Sequence, residues 1–116
     1  MGYEARCHCG TVRVNVDADL PDKAVVCNCS HCSAKGLVLA AVPGDAVTVA
    51  SGEDRLKTYQ FNRHVIDHRF CPDCGTQPFS QGKGQDGSSM AMINLRCVPE
   101  ADFEAIEKMP FDGASV

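Results

Sequence analysis

The stretch Phe70-Cys71-Pro72-Asp73-Cys74-Gly75-Thr76-Gln77-Pro78 decides how the rest of this chain is read. Its two thiols share one tight turn, stiffened by Pro72, and Gly75 lets the backbone curl so that amide N–H groups point at the sulfurs. Zinc takes thiolates in a tetrahedral array, and this spacing is that of a zinc knuckle. A redox Cys-x-x-Cys of the thioredoxin kind should open a helix after a strand, whereas Gly75-Thr76-Gln77-Pro78 breaks any helix. No His pair follows a Cys pair at the interval of a DNA-reading finger.

Working outward, two further clusters stand in the sequence, Cys7-His8-Cys9-Gly10 and Cys27-Asn28-Cys29-Ser30-His31-Cys32, while Cys97 is alone. Eight cysteines in 116 residues would suggest disulfides in a secreted chain. The start Met1-Gly2-Tyr3-Glu4-Ala5-Arg6 has no charged-then-apolar signal segment, so the expectation is a cytoplasmic chain with reduced thiols. One closed structural zinc takes four thiols, and three protein ligands with an open position are the usual construction of a catalytic zinc. The natural division assigns the pairs Cys7, Cys9 and Cys71, Cys74 to one ion and the triplet Cys27, Cys29, Cys32 to another, about two zinc ions per chain. The alternative is that Cys97 or His31 completes the triplet and both sites are structural.

The segments between the clusters read as short strands. Val12, Val14 and Val16 alternate with Thr11, Arg13, Asn15 and Asp17, the period of a half-buried strand. Gly36 to Val42 is an apolar run closed by Pro43-Gly44, and Val47 to Val49, Tyr59 to Phe61 and Val65 to Phe70 are further candidates. Met90 to Cys97 alternates again. Ser80 to Ser89, rich in Gly, Ser and Gln, reads as an exposed loop, and only Asp102 to Met109 has helical spacing, through Phe103 and Ile106. Strands with scarcely a helix predict an all-β fold, residues 1–116 forming one domain.

Composition excludes several classes of function. The apolar fraction of 44% and charged fraction of 22% belong to a globular chain, and no apolar run approaches the ~20 residues of a membrane span. Eleven Lys and Arg against fifteen Asp and Glu give a net charge of -4, which argues against an extended phosphate-binding surface and so against a nucleic-acid partner.

The order Cys-x-Cys-Gly, Cys-x-Cys-x-x-Cys, Phe-Cys-x-x-Cys-Gly-Thr and Asn-Leu-Arg-Cys, spanning Arg6 to Cys97, resembles the glutathione-dependent formaldehyde-activating family, which includes centromere protein V relatives. The resemblance implies a complex β fold of several small antiparallel sheets organised around zinc. It also implies a structural zinc on Cys7, Cys9, Cys71 and Cys74, and a second, exposed zinc on Cys27, Cys29 and Cys32 associated with glutathione chemistry. The family's better-characterised enzymes are longer, so the resemblance carries the metal sites further than it carries the substrate.

A thiolate-rich zinc is a poor activator of water and favours sulfur as its fourth ligand. The chemistry expected is addition of a thiol such as glutathione to formaldehyde, or the reverse carbon–sulfur cleavage. The competing expectation is a non-catalytic zinc-stabilised binding module. His64 and His68 would share a face of a strand, read as partly exposed histidines beside the knuckle with action near the second metal as the alternative, and Lys35, Arg63, Arg69 and Lys83 read as solvated charges able to meet a ligand's carboxylates. Gly82 to Gly87 lacks the ending of a phosphate loop and reads as a flexible connection.

Overall fold

The computed structural model describes residues 2–61, 65–83 and 86–115. Ten strands and one short helix follow in order: β1 (Tyr3–Arg6), β2 (Arg13–Val16), β3 (Lys23–Cys27), α1 (Ser30–Lys35), β4 (Leu39–Pro43), β5 (Val47–Ser51), β6 (Lys57–Tyr59), β7 (Asp67–Phe70), β8 (Phe79–Lys83), β9 (Ser89–Asn94) and β10 (Glu107–Phe111). They build two sheets, a three-stranded one in the order β1-β2-β5 and a seven-stranded one in the order β10-β3-β4-β9-β8-β7-β6. Every pairing is antiparallel except β10 with β3, which is parallel. The chain is mainly β, as its patterning predicts, with the larger sheet mixed at one edge.

The small sheet follows directly from alternation. Val12, Val14 and Val16 are all but fully buried while their neighbours face water, and the register sets Ala5 against Val14 and Tyr3 against Val16. Burying each such side chain contributes about 1.5–3 kcal/mol relative to leaving it exposed. In the large sheet Ala91 and Ile93 of β9 face inward and Met90 and Met92 face outward, with Ile93 between Ala40 of β4 and Phe79 of β8. Buried residues of both sheets join in one core, which also contains Cys7, Cys71 and Cys97.

Three local expectations are corrected. The polar segment Ser80–Lys83 is strand, because β8 is hydrogen-bonded on both sides, by β7 and β9, and pairing overrides composition. Asp102 to Met109 is not a helix. Asp102 caps a single turn through its carboxylate and carbonyl, which is enough to place Phe103 and Ile106 on the core. The backbone then extends and pairs with β3 from Glu107 to Phe111, and Pro110 suits this edge strand. Among the described residues the one α-helix is α1, which lies inside the second cysteine cluster. Its cap is Cys29, whose sulfur accepts from the Cys32 N–H, and it ends at Gly36 in the left-handed conformation, φ 65°. Among the described residues no helix is long and apolar enough to cross a membrane.

Candidate metal centres

The structure gathers the cysteines into two groups. Cys7, Cys9, Cys71 and Cys74 form one and Cys27, Cys29 and Cys32 the other, and within each group all sulfurs lie within 4.8 Å of one another.

The four-thiol group joins two turns of the same design. In the first, Gly10 donates to the Cys7 carbonyl at φ 81°, Cys7 N–H donates to Val12 O, and Val12 N–H points at Cys7 Sγ at 3.3 Å. In the second, Gly75 donates to the Cys71 carbonyl at φ 79° and Cys71 N–H to Thr76 O. An added Cβ at Gly10 or Gly75 would meet nothing within 4 Å, so glycine is required there by backbone angle and not by space. Sixty-two residues apart in sequence, Cys9 and Cys71 Sγ stand 3.7 Å apart, and Cys7 and Cys9 Sγ 3.5 Å. A tetrahedral ion with zinc–sulfur bonds of about 2.3 Å needs sulfurs about 3.8 Å apart, so this donor set fits zinc. Its electrostatics point the same way. Burial pushes the Cys71 thiol up to about 11. Burial also opposes ionisation of Cys74, yet hydrogen bonds from Thr76, the Cys9 backbone and the Cys71 thiol outweigh it and hold Cys74 at about 5. Thiolates this close repel one another unless a cation lies among them.

The three-thiol group is built from the end of β3 and the first turn of α1. Cys29 N–H points at Cys27 Sγ at 3.5 Å and Cys32 N–H at Cys29 Sγ at 3.4 Å, so the cap of the helix organises the set. All three residues are half-buried. Burial raises the Cys32 thiol well above its ordinary range, and the adjacent Cys27 and Cys29 raise it further. A segment from the far end of the chain closes one side: Asn28 N–H donates to Phe111 O, Asn28 Nδ2 to Asp112 Oδ1 at 2.9 Å, and Ala114 N–H to Asn28 Oδ1 at 2.8 Å. Gly113 thereby packs on Cys27. These contacts join residues more than eighty apart, and no local sequence signal announces them.

Neither alternative ligand joins the triplet. His31 turns into an aromatic stack, its ring centroid 4.0 Å from that of His68, 5.1 Å from Phe61 and 5.8 Å from Tyr59. Burial, with the charges of His68 and Lys35, lowers its pKa to about 4, so its ring is neutral. Cys97 is buried, donating to Gln77 O and accepting from Asn94 Nδ2. Burial first, then the charges of Cys7 and Cys74, pushes it up to about 12, which places it as a neutral thiol beside the four-thiol group.

Of the other residues singled out in the sequence, His68 is buried in β7 and lines a cavity with Cys27 and Cys32. Lys35 donates to Gln77 Oε1 and lies over the rings of Tyr59 and Phe70. Arg69 is mostly buried and donates to Gln81 Oε1. Lys83 lines the same cavity as His68, and exposed His8 stays outside both groups. Arg63, His64, Gly84 and Gln85 lie outside the described residues.

Residues 2–108 match the family model described as glutathione-dependent formaldehyde-activating enzyme. A crystal structure of a Rhodobacter sphaeroides protein, determined by structural genomics, superposes with a TM-score of 0.79 at 24% identity, covering 92% of this chain and 97% of that one. At that identity the likeness is one of fold.

Proposed function

Because this chain belongs to the glutathione-dependent formaldehyde-activating family, we propose that it works as a single zinc-organised domain of the cytoplasm that makes or cleaves a carbon–sulfur bond in a small thiol adduct. The family's characterised members are carbon–sulfur lyases. In this reading Cys7, Cys9, Cys71 and Cys74 hold a structural zinc, and Cys27, Cys29 and Cys32 hold a second. The observation that carries it is the incomplete donor set: among the described residues no fourth Cys, His, Asp or Glu joins the triplet, and cavities reach Cys27 and Cys32 from two directions.

Cys27, Cys29 and Cys32 would hold the second zinc, which would supply a soft fourth position favouring the thiolate form of an incoming thiol. The chain's own residues do the rest. The Cys29 cap and the Asn28 contacts hold the three sulfurs in place, and the C-terminal segment shields one side of them from water. His68, its pKa lowered chiefly by burial, brings a ring nitrogen to the cavity beside the triplet, whose polar side also holds Ser80, Gln81 and Lys83. Addition joins the thiol sulfur to the carbonyl carbon, the carbonyl oxygen takes a proton, and the reverse reaction returns thiol and aldehyde.

Replacing zinc with cobalt makes ligand entry visible. Glutathione is expected to perturb the charge-transfer and ligand-field bands, Cys32→Ser to abolish that change, and Cys97→Ser to leave it intact. Glutathione and formaldehyde should then combine faster with the parent than with Cys32→Ser. A spectrum indifferent to glutathione overturns the open site and favours a binding module with two structural metals.

A further inference from the structure

The two cavities that meet at the triplet differ in chemistry: one presents mainly apolar surface, with His68 and Lys83 on its polar side, and the other carries the cation pair Arg96 and Lys108. One, of about 270 Å3, runs from Cys27 and Cys32 between Val25, Leu39, Met90 and Met92 to Ile66 and Phe111. Ile66 and Phe111 are 45% and 52% exposed, so its outer wall shows large apolar side chains to solvent. The other, of about 370 Å3, also touches Cys27 and Cys32 but carries the cations Arg96 and Lys108. Arg96 is steadied by the Gly36 carbonyl and by the Phe103 ring, over which Lys108 also lies. Among the described residues neither cation is in an ion pair.

A group derived from formaldehyde has two heavy atoms. The apolar cavity has the liquid volume of roughly nine water molecules, so a one-carbon group would leave most of its walls bare. Methionines 90 and 92, flexible and polarisable, suit a surface that packs on an alkyl chain of variable shape. They project from β9 opposite the core residues Ala91 and Ile93, so the sheet's own alternation builds this wall.

We infer that the substrate of this chain is the adduct of an anionic thiol with an aldehyde bearing an apolar chain of several carbons. The chain lies along Met90 and Met92, and the anionic part of the thiol faces Arg96 and Lys108. The inference rests on the open-site reading above and specifies what that site accepts. In the forward direction the C–S bond forms as the C=O π pair moves to oxygen, and the proton released by the thiol reaches that oxygen through solvent; no oxidant or reductant enters. Cleavage reverses each movement.

The test titrates alkanethiols from ethanethiol to hexanethiol into the metal-replete protein by calorimetry, with hexanol as the sulfur-free control. Each buried methylene is expected to raise affinity about fourfold, so hexanethiol should bind on the order of a hundredfold tighter than ethanethiol. Met92→Gln and Met90→Gln, both at half-buried positions outside the core, should each bring that ratio down towards one. Equal affinity for short and long thiols in the parent, or a ratio untouched by both variants, overturns the inference and leaves the open site standing. Hexanol binding as tightly as hexanethiol overturns the link between cavity and sulfur. If no thiol binds, the open-site reading fails and the inference with it.

Discussion

A methyl group added to Gly113 would stand 2.3 Å from Cys27 Sγ and 3.5 Å from Cys29 Cβ. No real side chain tolerates the first contact, and the neighbour that must yield is a member of the triplet. Gly113 lies outside the left-handed backbone region, so the constraint is steric, unlike that at Gly10 and Gly75. Gly113→Ala is therefore expected to displace Cys27 and lower metal content from about two ions per chain to about one, with the four-thiol site retained. Elemental analysis alongside a melting curve checks this: unchanged stoichiometry would show that the C-terminal segment moves away freely.

The helix α1 does two jobs at once. Its first turn arranges the sulfurs, and the same turn directs His31 between the rings contributed by β6, β7 and the residues after β6. Both His31 ring nitrogens are buried without a hydrogen-bond partner, which fits a neutral ring held by stacking. A histidine with pKa near 4 when folded and about 6.5 when unfolded binds more protons in the unfolded chain. Its neutral burial is therefore without penalty above pH 6.5 and becomes increasingly destabilising as pH falls towards 4. His31→Phe keeps the stacking and removes that proton uptake, so its melting temperature should gain on the parent's between pH 6.5 and 4. Parallel curves over this range would show that His31 titrates normally.

At the scale of the molecule, the four-thiol group fastens the turn after β1 to the turn after β7, and thereby ties the small sheet to the large one. Closing a loop of this length is entropically costly in the unfolded chain, so the affinity of a metal bound by these four thiols would become folding free energy. Cys74→Ser is expected to give insoluble or unfolded protein. Cys29→Ser should leave a folded chain lacking chiefly the second metal, because the triplet lies within the single segment Cys27 to Cys32 and joins no distant strands. Circular dichroism and metal analysis of the two variants decide the matter, and parent-like melting of both would contradict the structural role of the first group.

The sequence by itself determined the parts whose physics is local. Period-two alternation at Val12, Val14 and Val16 needs only neighbouring residues to state which face is buried, and a thiolate pair one or two residues apart on a glycine turn declares a ligand turn without knowledge of the fold. The mainly β class and the family resemblance followed from such signals. Tertiary structure alone decided what depends on distant partners. Ser80–Lys83 became strand because two neighbours supplied hydrogen bonds, and Asp102 to Met109 gave up helical spacing because β3 offered an unpaired edge. Cys97 went to the side of the four-thiol group, and His31 left the metal turn for an aromatic stack. The mainly apolar cavity likewise arose from residues of β3, β4, β7, β8, β9 and β10 that no spacing connects, since a cavity is a property of surfaces brought together and not of any segment.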